Sequence, residues 1–308
     1  MSNIFTLTLN SAIEKVVYVN GDNYSDRDEE YYLTGKAVNT GLLLSNIGIP
    51  CEMNIVCGDD TRSSYTNLQN EYRTVNVYSV PGKTRINQTI VYPNGKEEKV
   101  PSKGYKLSEV QLEQLRYNLI NKVRSGDILL IAGSLPDGMS NKWYSEIIHS
   151  ANNKGVKVFF DAANETLLEG INSSPFYIKP NEEEVIGLIG RKKIKDLPYE
   201  LSQISSNYSI ENVIVTLGGK GALGYNLSSN QTVFVSTNEI FPTKVMTTGC
   251  GDSFNAGFIY GTIHGEGFIN SMMYGVAFGG ANIYSGFPEK IQLSVINDRM
   301  KYISYKII

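Results

Sequence analysis

The sequence has few residues of the types that bind structural metals or form disulfide bonds. Only 3 cysteines and 2 histidines occur among 308 residues. Cys51, Cys57 and Cys250 form no Cys-x-x-Cys pair, and only His149 and His264 could join them. A structural zinc site therefore lacks ligands, and we expect three free thiols in a reducing compartment.

Long apolar runs and a concentration of basic residues are also missing. No apolar run reaches about 18 residues, and the start MSNIFTLTLNSAIEKVV has no basic segment followed by an apolar core and a cleavage site. The net charge is −3, the isoelectric point is about 5.6, and Lys and Arg are scattered. We expect a cytoplasmic protein that binds neither nucleic acid nor membranes.

What is present is an alternation of strand-like and helix-like segments. Hydrophobic residues make up 41% and charged residues 19%, as in ordinary globular proteins. Helical spacing of apolar residues occurs in 112–123 and 143–151. Because such segments alternate with short apolar strands, we predict a mostly parallel sheet covered by helices. The strand-like segments are IFTLTLN, CEMNIVCG, DILLIAGSLP, VKVFFDAAN, FYIKPN and NVIVTLGG.

Two regions break this alternation. IEKVVYV and EEYYL read as short strands, and NQTIVYPNGKEEKV reads as a hairpin around Pro93-Asn94-Gly95. We expect them to form a small accessory sheet. Such a sheet could cover a cleft or pair with a second copy of the chain.

The segment TTGCGDSFNAGF, residues 247–258, combines glycines, one carboxylate and the start of a helix. Phe254, Phe258 and Ile259 begin an apolar stripe, so the helix is predicted to start around 249–252. Bare glycines there would expose backbone amides to an anion. Asp252 can be interpreted in two ways. It could be an acid that stabilises the helix by about 0.3–1 kcal/mol through the helix dipole, or a base beside a transferring phosphoryl group.

Two further segments allow a structural and a functional reading. VIVTLGGKGALGYN is a strand, a tight turn and a strand; it matches neither Walker A nor Gly-x-Gly-x-x-Gly, and alone it is typical of a β-turn. In YIKPNEEEVIGLIG, Asn181 and Glu184 form a capping-box pattern. With Lys179, the same two residues could instead face nucleotide phosphates and a hydrated Mg²⁺.

Seven segments in this order resemble the ribokinase-like, or pfkB, carbohydrate kinases. They are TLNSAIEKV, TGKAVNT, KTRIN, GSLPDGM, IKPNEEE, VTLGGKG and TTGCGDSFNAGF. The resemblance is closest to the phosphosugar branch, the tagatose-6-phosphate kinases and 1-phosphofructokinases. It implies a three-layer α/β/α sandwich with a small β-sheet lid, in one domain over 1–308 with lid strands drawn from about 12–34 and 85–102.

The resemblance also assigns roles, with ATP as phosphoryl donor and Mg²⁺ as cofactor. Asp252 matches the base, and Gly249, Cys250 and Gly251 match the anion hole. The residues matching nucleotide contacts are Lys179, Thr216, Gly218, Gly221 and Gly279. The residues matching metal contacts, through water, are Asn181 and Glu184. The residues matching the substrate site are Glu14, Gly35, Lys36, Asn39, Arg85 and Asn87.

The substrate side carries both a clue and departures from the family pattern. The guanidinium of Arg85 suits a phosphate monoester better than a neutral sugar. Ser11 and Glu14 stand where the branch has Pro and a sugar-binding Asp, and Thr34 and Ala37 replace two glycines. These changes are expected to re-shape the sugar pocket. Cys250 stands where Ala is common in the family, and a helix N-terminus is expected to lower its thiol pKa.

The expected activity is phosphorylation of a ketohexose phosphate to a ketohexose bisphosphate by ATP. Two alternatives stay open, a kinase for a neutral sugar or nucleoside and a non-catalytic module that senses a sugar phosphate. A dinucleotide-dependent dehydrogenase is excluded because no glycine fingerprint follows the first strand. The exposed lid strands are consistent with a homodimer.

Overall fold

A computed structural model describes residues 2–20, 27–94, 96–241 and 247–308. The strands in these residues are β1 (Ile4–Thr8), β2 (Ala12–Val19), β3 (Arg27–Thr34), β4 (Cys51–Gly58), β5 (Arg73–Val80), β6 (Arg85–Val91), β7 (Glu97–Val100), β8 (Ile128–Ala132), β9 (Lys157–Asp161), β10 (Tyr177–Ile178), β11 (Asn212–Thr216), β12 (Ala222–Asn226), β13 (Gln231–Thr237) and β14 (Ile303–Ile307). The α-helices are α1 (Lys36–Asn46), α2 (Arg62–Thr66), α3 (Glu109–Lys122), α4 (Lys142–Asn152), α5 (Asn164–Ile171), α6 (Glu182–Ile189), α7 (Leu197–Tyr208), α8 (Cys250–Ile263), α9 (Gly267–Ser285) and α10 (Leu293–Met300).

The larger sheet has ten strands in the order β14-β13-β12-β11-β10-β9-β8-β1-β4-β5. All neighbours from β11 to β5 run parallel, whereas β12, β13 and β14 add an antiparallel edge. The central strands β1 and β8 are buried along their whole length. They read as continuous apolar runs because helices cover both faces of the sheet. The prediction of a mostly parallel sheet is confirmed.

Helices pack on both faces of this sheet. Successive side chains of a strand point to opposite faces, so Leu129 and Ile131 pack in one apolar core while Ile128 and Leu130 pack in the other. The first core is covered by α3, α4, α5, α6 and α7, and the second by α1, α2, α8, α9 and α10. This arrangement confirms the three-layer α/β/α prediction.

The predicted apolar face of α3 shows how the outer helices are held. Leu112, Leu115 and Leu119 are buried, and each contributes about 1.5–3 kcal/mol by leaving water. Ser108 and Gln111 form a capping box that satisfies the first amides of the helix. The predicted face of α4 is buried in the same way.

The smaller sheet has the order β3-β2-β6-β7, with β2 and β6 parallel and the outer pairs antiparallel. Its strands come from the two segments predicted to form an accessory sheet, although residues 21–26 and Gly95 of the predicted hairpin turn lie outside the described residues. One face packs on the main body, where the ring of Tyr32 stacks on Phe287 at 4.0 Å between centroids. Tyr31, Ile86 and Val100 on this sheet remain exposed.

Among the residues that the structure describes, no helix combines the length and the apolar character needed to cross a bilayer.

Candidate active site

The site forms at the edge of the large sheet where its parallel strands end. Asp161 is the last residue of β9, Lys179 directly follows β10, and Thr216 is the last residue of β11. These strands are neighbours in the sheet, so their carboxyl ends lie side by side. Ligands of open α/β sheets bind at this edge.

Asp252 is buried in the first turn of α8, at the same edge. Asn39 Nδ2 in α1 donates to Asp252 Oδ2 at 2.7 Å, and Thr40 Oγ1 donates to the backbone carbonyl of Asp252 at 2.9 Å. The contact depends on α1 packing directly against α8. A carboxylate held in this way can accept a proton from a bound hydroxyl group.

The environment of Asp252 brings its titration close to neutral pH. Burial raises the pKa of Asp252 to about 7, and the negative charge of Asp161 acts in the same direction. Lys36, the hydrogen bond from Asn39, and Lys179 oppose this rise. A carboxylate with a pKa in this range is suited to act as a general base at physiological pH.

A cluster of one acid and two lysines lies beside Asp252; Asp161 and Lys179 are buried and Lys36 is partly exposed. Asp161 Oδ1 contacts Lys36 Nζ at 2.9 Å, and Asp161 Oδ2 contacts Lys179 Nζ at 3.2 Å. Asn255 Nδ2 donates to Asp161 Oδ2 at 2.7 Å. Although burial acts to raise it, the pKa of Asp161 lies well below its usual range because Lys179 and Lys36 stabilise the charged form. Asp161 is therefore ionised and fixes both ammonium groups.

The N-terminus of α8 has the backbone geometry of an anion-binding turn. Gly249 precedes the helix with φ 87°, and a Cβ there would lie 2.7 Å from the Pro288 side chain. The amide of Cys250 donates to the Thr247 carbonyl at 3.2 Å, and the amide of Ser253 donates to Gly249. The amides between them, of Gly251 and Asp252, have no intrahelical acceptor by helix geometry.

Lys179 completes this positive region. A Cβ added to Gly251 would lie 3.3 Å from Lys179 Nζ, so the ammonium group lies directly beside the start of α8. The positive end of the helix dipole and a lysine in contact with it together favour a phosphate group. Any side chain at Gly251 would intrude between them.

The expectation for the Cys250 thiol is wrong. Burial raises its pKa to about 11, and the neighbouring negative charge of Asp252 acts in the same direction. Asn282 Nδ2 lies 3.4 Å from Cys250 Sγ and only partly offsets these effects. The thiol is therefore protonated at neutral pH, because desolvation outweighs the helix dipole.

A cavity of about 490 Å³ opens next to the start of α8. Its walls include Asn181, Thr216, Gly218, Gly221 and Gly279 from the predicted nucleotide and metal contacts, but not Lys179 or Glu184. Cys250 and Gly251 of the predicted anion hole line it as well. Phe241, Phe254 and Val276 supply apolar surface. The glycine turn between β11 and β12 therefore faces the α8 N-terminus across one cavity, which has the size and mixed lining of a nucleotide site.

Asn181 and Glu184 form the capping box of α6, as the sequence predicts. Asn181 Oδ1 accepts from the Glu184 amide at 2.9 Å, and Glu184 Oε2 accepts from the Asn181 amide at 2.8 Å. The negative charge of Glu184 also contributes to raising the pKa of Lys36, so its carboxylate lies toward the charged cluster. Amide and carboxylate oxygens at this place fit a Mg²⁺ ion that keeps several of its waters.

Arg85 lies where the two sheets meet. It begins β6, and its Nη2 donates to the Asn10 carbonyl, beyond the end of β1, at 2.9 Å. Its Nε is buried and has no hydrogen-bond partner within the described part of the chain. Burial lowers the pKa of the guanidinium, against the raising effects of Tyr105 and Glu14. A buried N–H without an acceptor is a position where a ligand oxygen would be stabilised.

The other predicted substrate residues lie in α1 and the small sheet. Glu14 is buried in β2 and its Oε1 accepts from Thr89 Oγ1 at 2.6 Å, within the small sheet. Asn87 Oδ1 accepts from the Ser102 amide at 3.3 Å. Gly35 precedes α1, and a Cβ there would lie 2.6 Å from Thr8 Cγ2, so no larger residue fits. Lys36 and Asn39 join the Asp161 and Asp252 clusters described above.

Asp161 and Asn255 are site residues that lie outside the roles predicted from the sequence motifs. Asn255 also links to the core, because Tyr177 donates to its Oδ1 at 3.0 Å. The sequence contains a signal for Asp161, because the apolar strand in the segment VKVFFDAAN ends on this acid. An acid at the carboxyl end of a predicted parallel strand could have been proposed as a site residue.

Residues 8–286 match the model of the pfkB family carbohydrate kinases. The 1-phosphofructokinase of Haemophilus influenzae is 27% identical over 284 residues, which cover 90% of each chain. The 1-phosphofructokinase of Borreliella burgdorferi is 29% identical over 300 residues, which cover 92% of each chain.

Solved structures share the fold. The crystal structure of phosphofructokinase-2 from Escherichia coli in complex with fructose-6-phosphate superposes with a TM-score of 0.86. The alignment covers 98% of this chain and 99% of that chain, at 21% sequence identity. The shared fold includes the large sheet, its two helical layers and the small sheet.

Proposed function

The chain belongs to the pfkB family of carbohydrate kinases, and we propose that it transfers the γ-phosphoryl group of ATP to a hydroxyl group of a ketohexose phosphate. The product would be a ketohexose bisphosphate. Membership of the family makes the chain an ATP-dependent phosphotransferase with an alcohol group as acceptor. Family membership does not identify the acceptor, and the proposal adds that it is a ketohexose phosphate.

The observation that carries the proposal is Arg85, a half-buried residue whose guanidinium Nε is buried. Its Nε lacks a partner among the described residues, and its Nη2 reaches the carboxyl edge of the large sheet through Asn10. A planar guanidinium binds a phosphate monoester through two parallel hydrogen bonds, which a neutral sugar cannot offer. The 1-phosphofructokinases among its relatives also act on a phosphorylated sugar by their names.

The proposed reaction uses the groups at the start of α8. The ionised carboxylate of Asp252 accepts the proton of the acceptor hydroxyl. The oxygen of that hydroxyl attacks the γ-phosphorus, and the bond between this phosphorus and the leaving oxygen of ADP breaks. The free amides of α8 and Lys179 stabilise the negative charge of the transferring group. Lys36 and Asp161 hold the surrounding charges in place.

We propose that Mg²⁺ accompanies ATP. Asn181 and Glu184 would hold it, in part through retained water molecules, at the side of the cavity nearest α6. The bound ion would neutralise phosphate charge during transfer.

The acceptor belongs, in this proposal, to the class used by tagatose-6-phosphate kinases and 1-phosphofructokinases. Glu14 keeps an acid on the small sheet, and its longer side chain reaches Thr89 rather than standing free. Thr34 and Ala37 are both buried, so their extra atoms occupy volume beside the acceptor site. These differences are expected to select among ketohexose phosphates.

We also propose a homodimer formed through the outer face of the small sheet. Ile13 lies opposite Ile86, and Lys15 lies opposite Tyr31, on the side away from Val16. Ile86 is 49% exposed and Tyr31 57% exposed. An exposed sheet face with such side chains favours association with a second copy.

The test is an ADP-release assay over a panel of sugars and sugar phosphates. We expect turnover on tagatose 6-phosphate, fructose 1-phosphate or fructose 6-phosphate, and much less on fructose or ribose. Asp252→Asn, which keeps the size of the side chain but cannot accept the proton, should lose nearly all turnover.

Other outcomes would select a different function. Faster turnover on neutral sugars or nucleosides would identify a kinase in which Arg85 has no phosphate partner. Measurable sugar-phosphate binding without ATP-dependent turnover on any acceptor would identify a sensing module. A near wild-type rate for Asp252→Asn would refute the assignment of the base.

A further inference from the structure

A chain of buried hydrogen bonds links the small sheet to Asp252. Thr34 Oγ1, at the end of β3, donates to Asn39 Oδ1 at 2.8 Å. Asn39 Nδ2, in α1, donates to Asp252 Oδ2 at 2.7 Å. All three side chains are buried, with exposures of 7%, 3% and 8%. Three separate elements therefore meet through two short hydrogen bonds.

The amide of Asn39 has a defined orientation in this chain. An ionised carboxylate only accepts hydrogen bonds, so the NH₂ end of Asn39 must face Asp252. The carbonyl end then faces the other way, into a site that is shielded from water. Thr34 donates to that carbonyl oxygen, and without this donor the oxygen would be buried and unsatisfied, which is costly.

The position of Thr34 is itself fixed by its backbone. Thr34 pairs with Ala12 in the small sheet. The hydroxyl of Tyr65, which is fully buried, lies 3.0 Å from the Thr34 carbonyl and 2.8 Å from the Ala12 carbonyl. The hydroxyl of Thr34 is therefore anchored to the small sheet rather than free to follow Asn39.

We propose that Thr34 is a positioning residue that holds the Asn39 amide with its NH₂ end toward Asp252 and so keeps the base ready to accept a proton. This inference rests on the proposed function, in which Asp252 is the base. The glycine that the family resemblance leads us to expect at this position would carry no hydroxyl group.

The pH dependence of activity also reflects the charged and titratable groups around Asp252. They are Lys36 from α1, Asp161 from β9, Lys179 beyond β10, and the thiol of Cys250 on α8 itself. Thr34 is uncharged, so its substitution leaves these charges in place. Any shift in the titration of Asp252 then comes from the changed hydrogen bond of Asn39.

The test is the pH profile of kcat/KM for Thr34→Val, which removes the hydroxyl and keeps the shape. In the wild-type enzyme, kcat/KM should fall as the pH drops below about 7, when Asp252 becomes protonated. In Thr34→Val this acid limb should move upward by about one pH unit, because a hydrogen bond to a charged group is lost or reversed. Activity below the limb should fall about tenfold and recover at high pH.

Thr34→Ser restores the hydroxyl and should restore the wild-type profile. Thr40→Val is the matched control, because it removes a different buried hydroxyl, on α1, that contacts the Asp252 backbone carbonyl and not its carboxylate. We expect Thr40→Val to leave the acid limb in place. A uniform loss of activity at every pH in Thr34→Val, or an unshifted limb, would overturn the proposal.

Two further measurements separate a failure of the Thr34 proposal from a failure of the proposed function and from misfolding. Asp252→Asn tests the proposed function separately: if it is inactive while Thr34→Val keeps the wild-type limb, only the role of Thr34 fails. Thermal unfolding followed by circular dichroism checks that each variant is folded. If Thr34→Val does not fold, Thr34→Ala provides the same pH comparison with less steric demand.

Discussion

Asp252 must be ionised to accept a proton, yet it is buried where an ionised carboxylate is costly. Asn39 and two lysines stabilise the charged form, and the pKa still reaches about 7. Unfolded Asp titrates near 3.9. The folded pKa is the higher one, so this carboxyl group stabilises the fold most at low pH, and the contribution is lost as the pH rises through about 7.

We predict that Asp252→Asn stabilises the fold while it removes activity. At about pH 8 the wild-type carboxylate is charged and desolvated, so the neutral variant should unfold roughly 2–4 °C higher. At about pH 5 the wild-type group is protonated in the folded state, and the difference should shrink. Thermal unfolding at both pH values checks this. An equal difference at both would show that ionisation of Asp252 does not limit stability.

We predict that Arg85→Lys raises KM for the sugar phosphate about 10- to 100-fold and leaves KM for ATP near its wild-type value. A lysine keeps the charge but loses the paired donors of the guanidinium. Steady-state kinetics with each substrate varied in turn measure the effect. Lys83→Gln is the control, because it removes a charge from an exposed side chain two residues away. An equal effect of both variants would count against a specific phosphate contact.

At the scale of elements, the segment between α9 and α10 packs against the start of α8. Pro288 packs on Gly249, and the neighbouring Phe287 stacks on Tyr32 of the small sheet. Lys290 Nζ also lies 2.7 Å from the Tyr32 hydroxyl. The segment between α9 and α10 therefore contacts both the anion-binding turn and the small sheet, which couples their positions.

Two alanine substitutions should separate folding from phosphate binding. Gly249→Ala should lower stability by about 1–2 kcal/mol or more, because its φ is left-handed and the new Cβ meets Pro288. Gly251→Ala lies inside the helix beside the flexible end of Lys179, so its stability should change little. Its turnover should still fall, because the methyl group blocks the approach of the phosphoryl group. Denaturant unfolding and ADP release on both variants test the contrast, and a stable, fully active Gly251→Ala enzyme would contradict it.

At the scale of the whole molecule, the cavity that we propose for the nucleotide joins β11, α6, α8 and α9. A ligand that contacts all four elements stabilises the folded state by mass action. We predict that ATP at about 100 times its Kd adds about 2.7 kcal/mol and raises Tm by several degrees. Differential scanning calorimetry with a non-hydrolysable ATP analogue measures this. The shift should shrink when EDTA removes Mg²⁺, and an unchanged shift would argue against a metal contact.

The homodimer gives a prediction at the same scale. Ile86→Glu places a charge in the middle of the outer face of the small sheet, where burial in an interface would be costly. We expect wild-type protein to sediment as a dimer and the variant as a monomer. Val110→Glu is the control, since Val110 is 79% exposed on α3, a helix that packs on the large sheet and not on the small one. Monomeric wild-type protein would refute the proposed interface.

The sequence allowed the layered fold to be predicted from local signals. The strand at 128–132 is apolar on both faces, which predicts a strand covered on both sides. The helical spacing of apolar residues in α3 predicts its buried face. The strands β13 and β14 were not predicted, because they form a half-exposed antiparallel edge with a weaker pattern. Their pairing joins residues about 70 positions apart, and no local signal specifies such a contact.

By itself, the sequence determined the positions that need glycine, the cap of α6, and Asp252 at the start of a helix. These follow from local backbone geometry and side-chain type. Only the tertiary structure decided that Asp161 fixes two lysines, that Cys250 is a protonated thiol, and that Thr34 reaches Asp252 through Asn39. Each of these depends on burial and on contacts between elements distant in the chain, and desolvation and hydrogen bonding there outweigh the local preference of any residue.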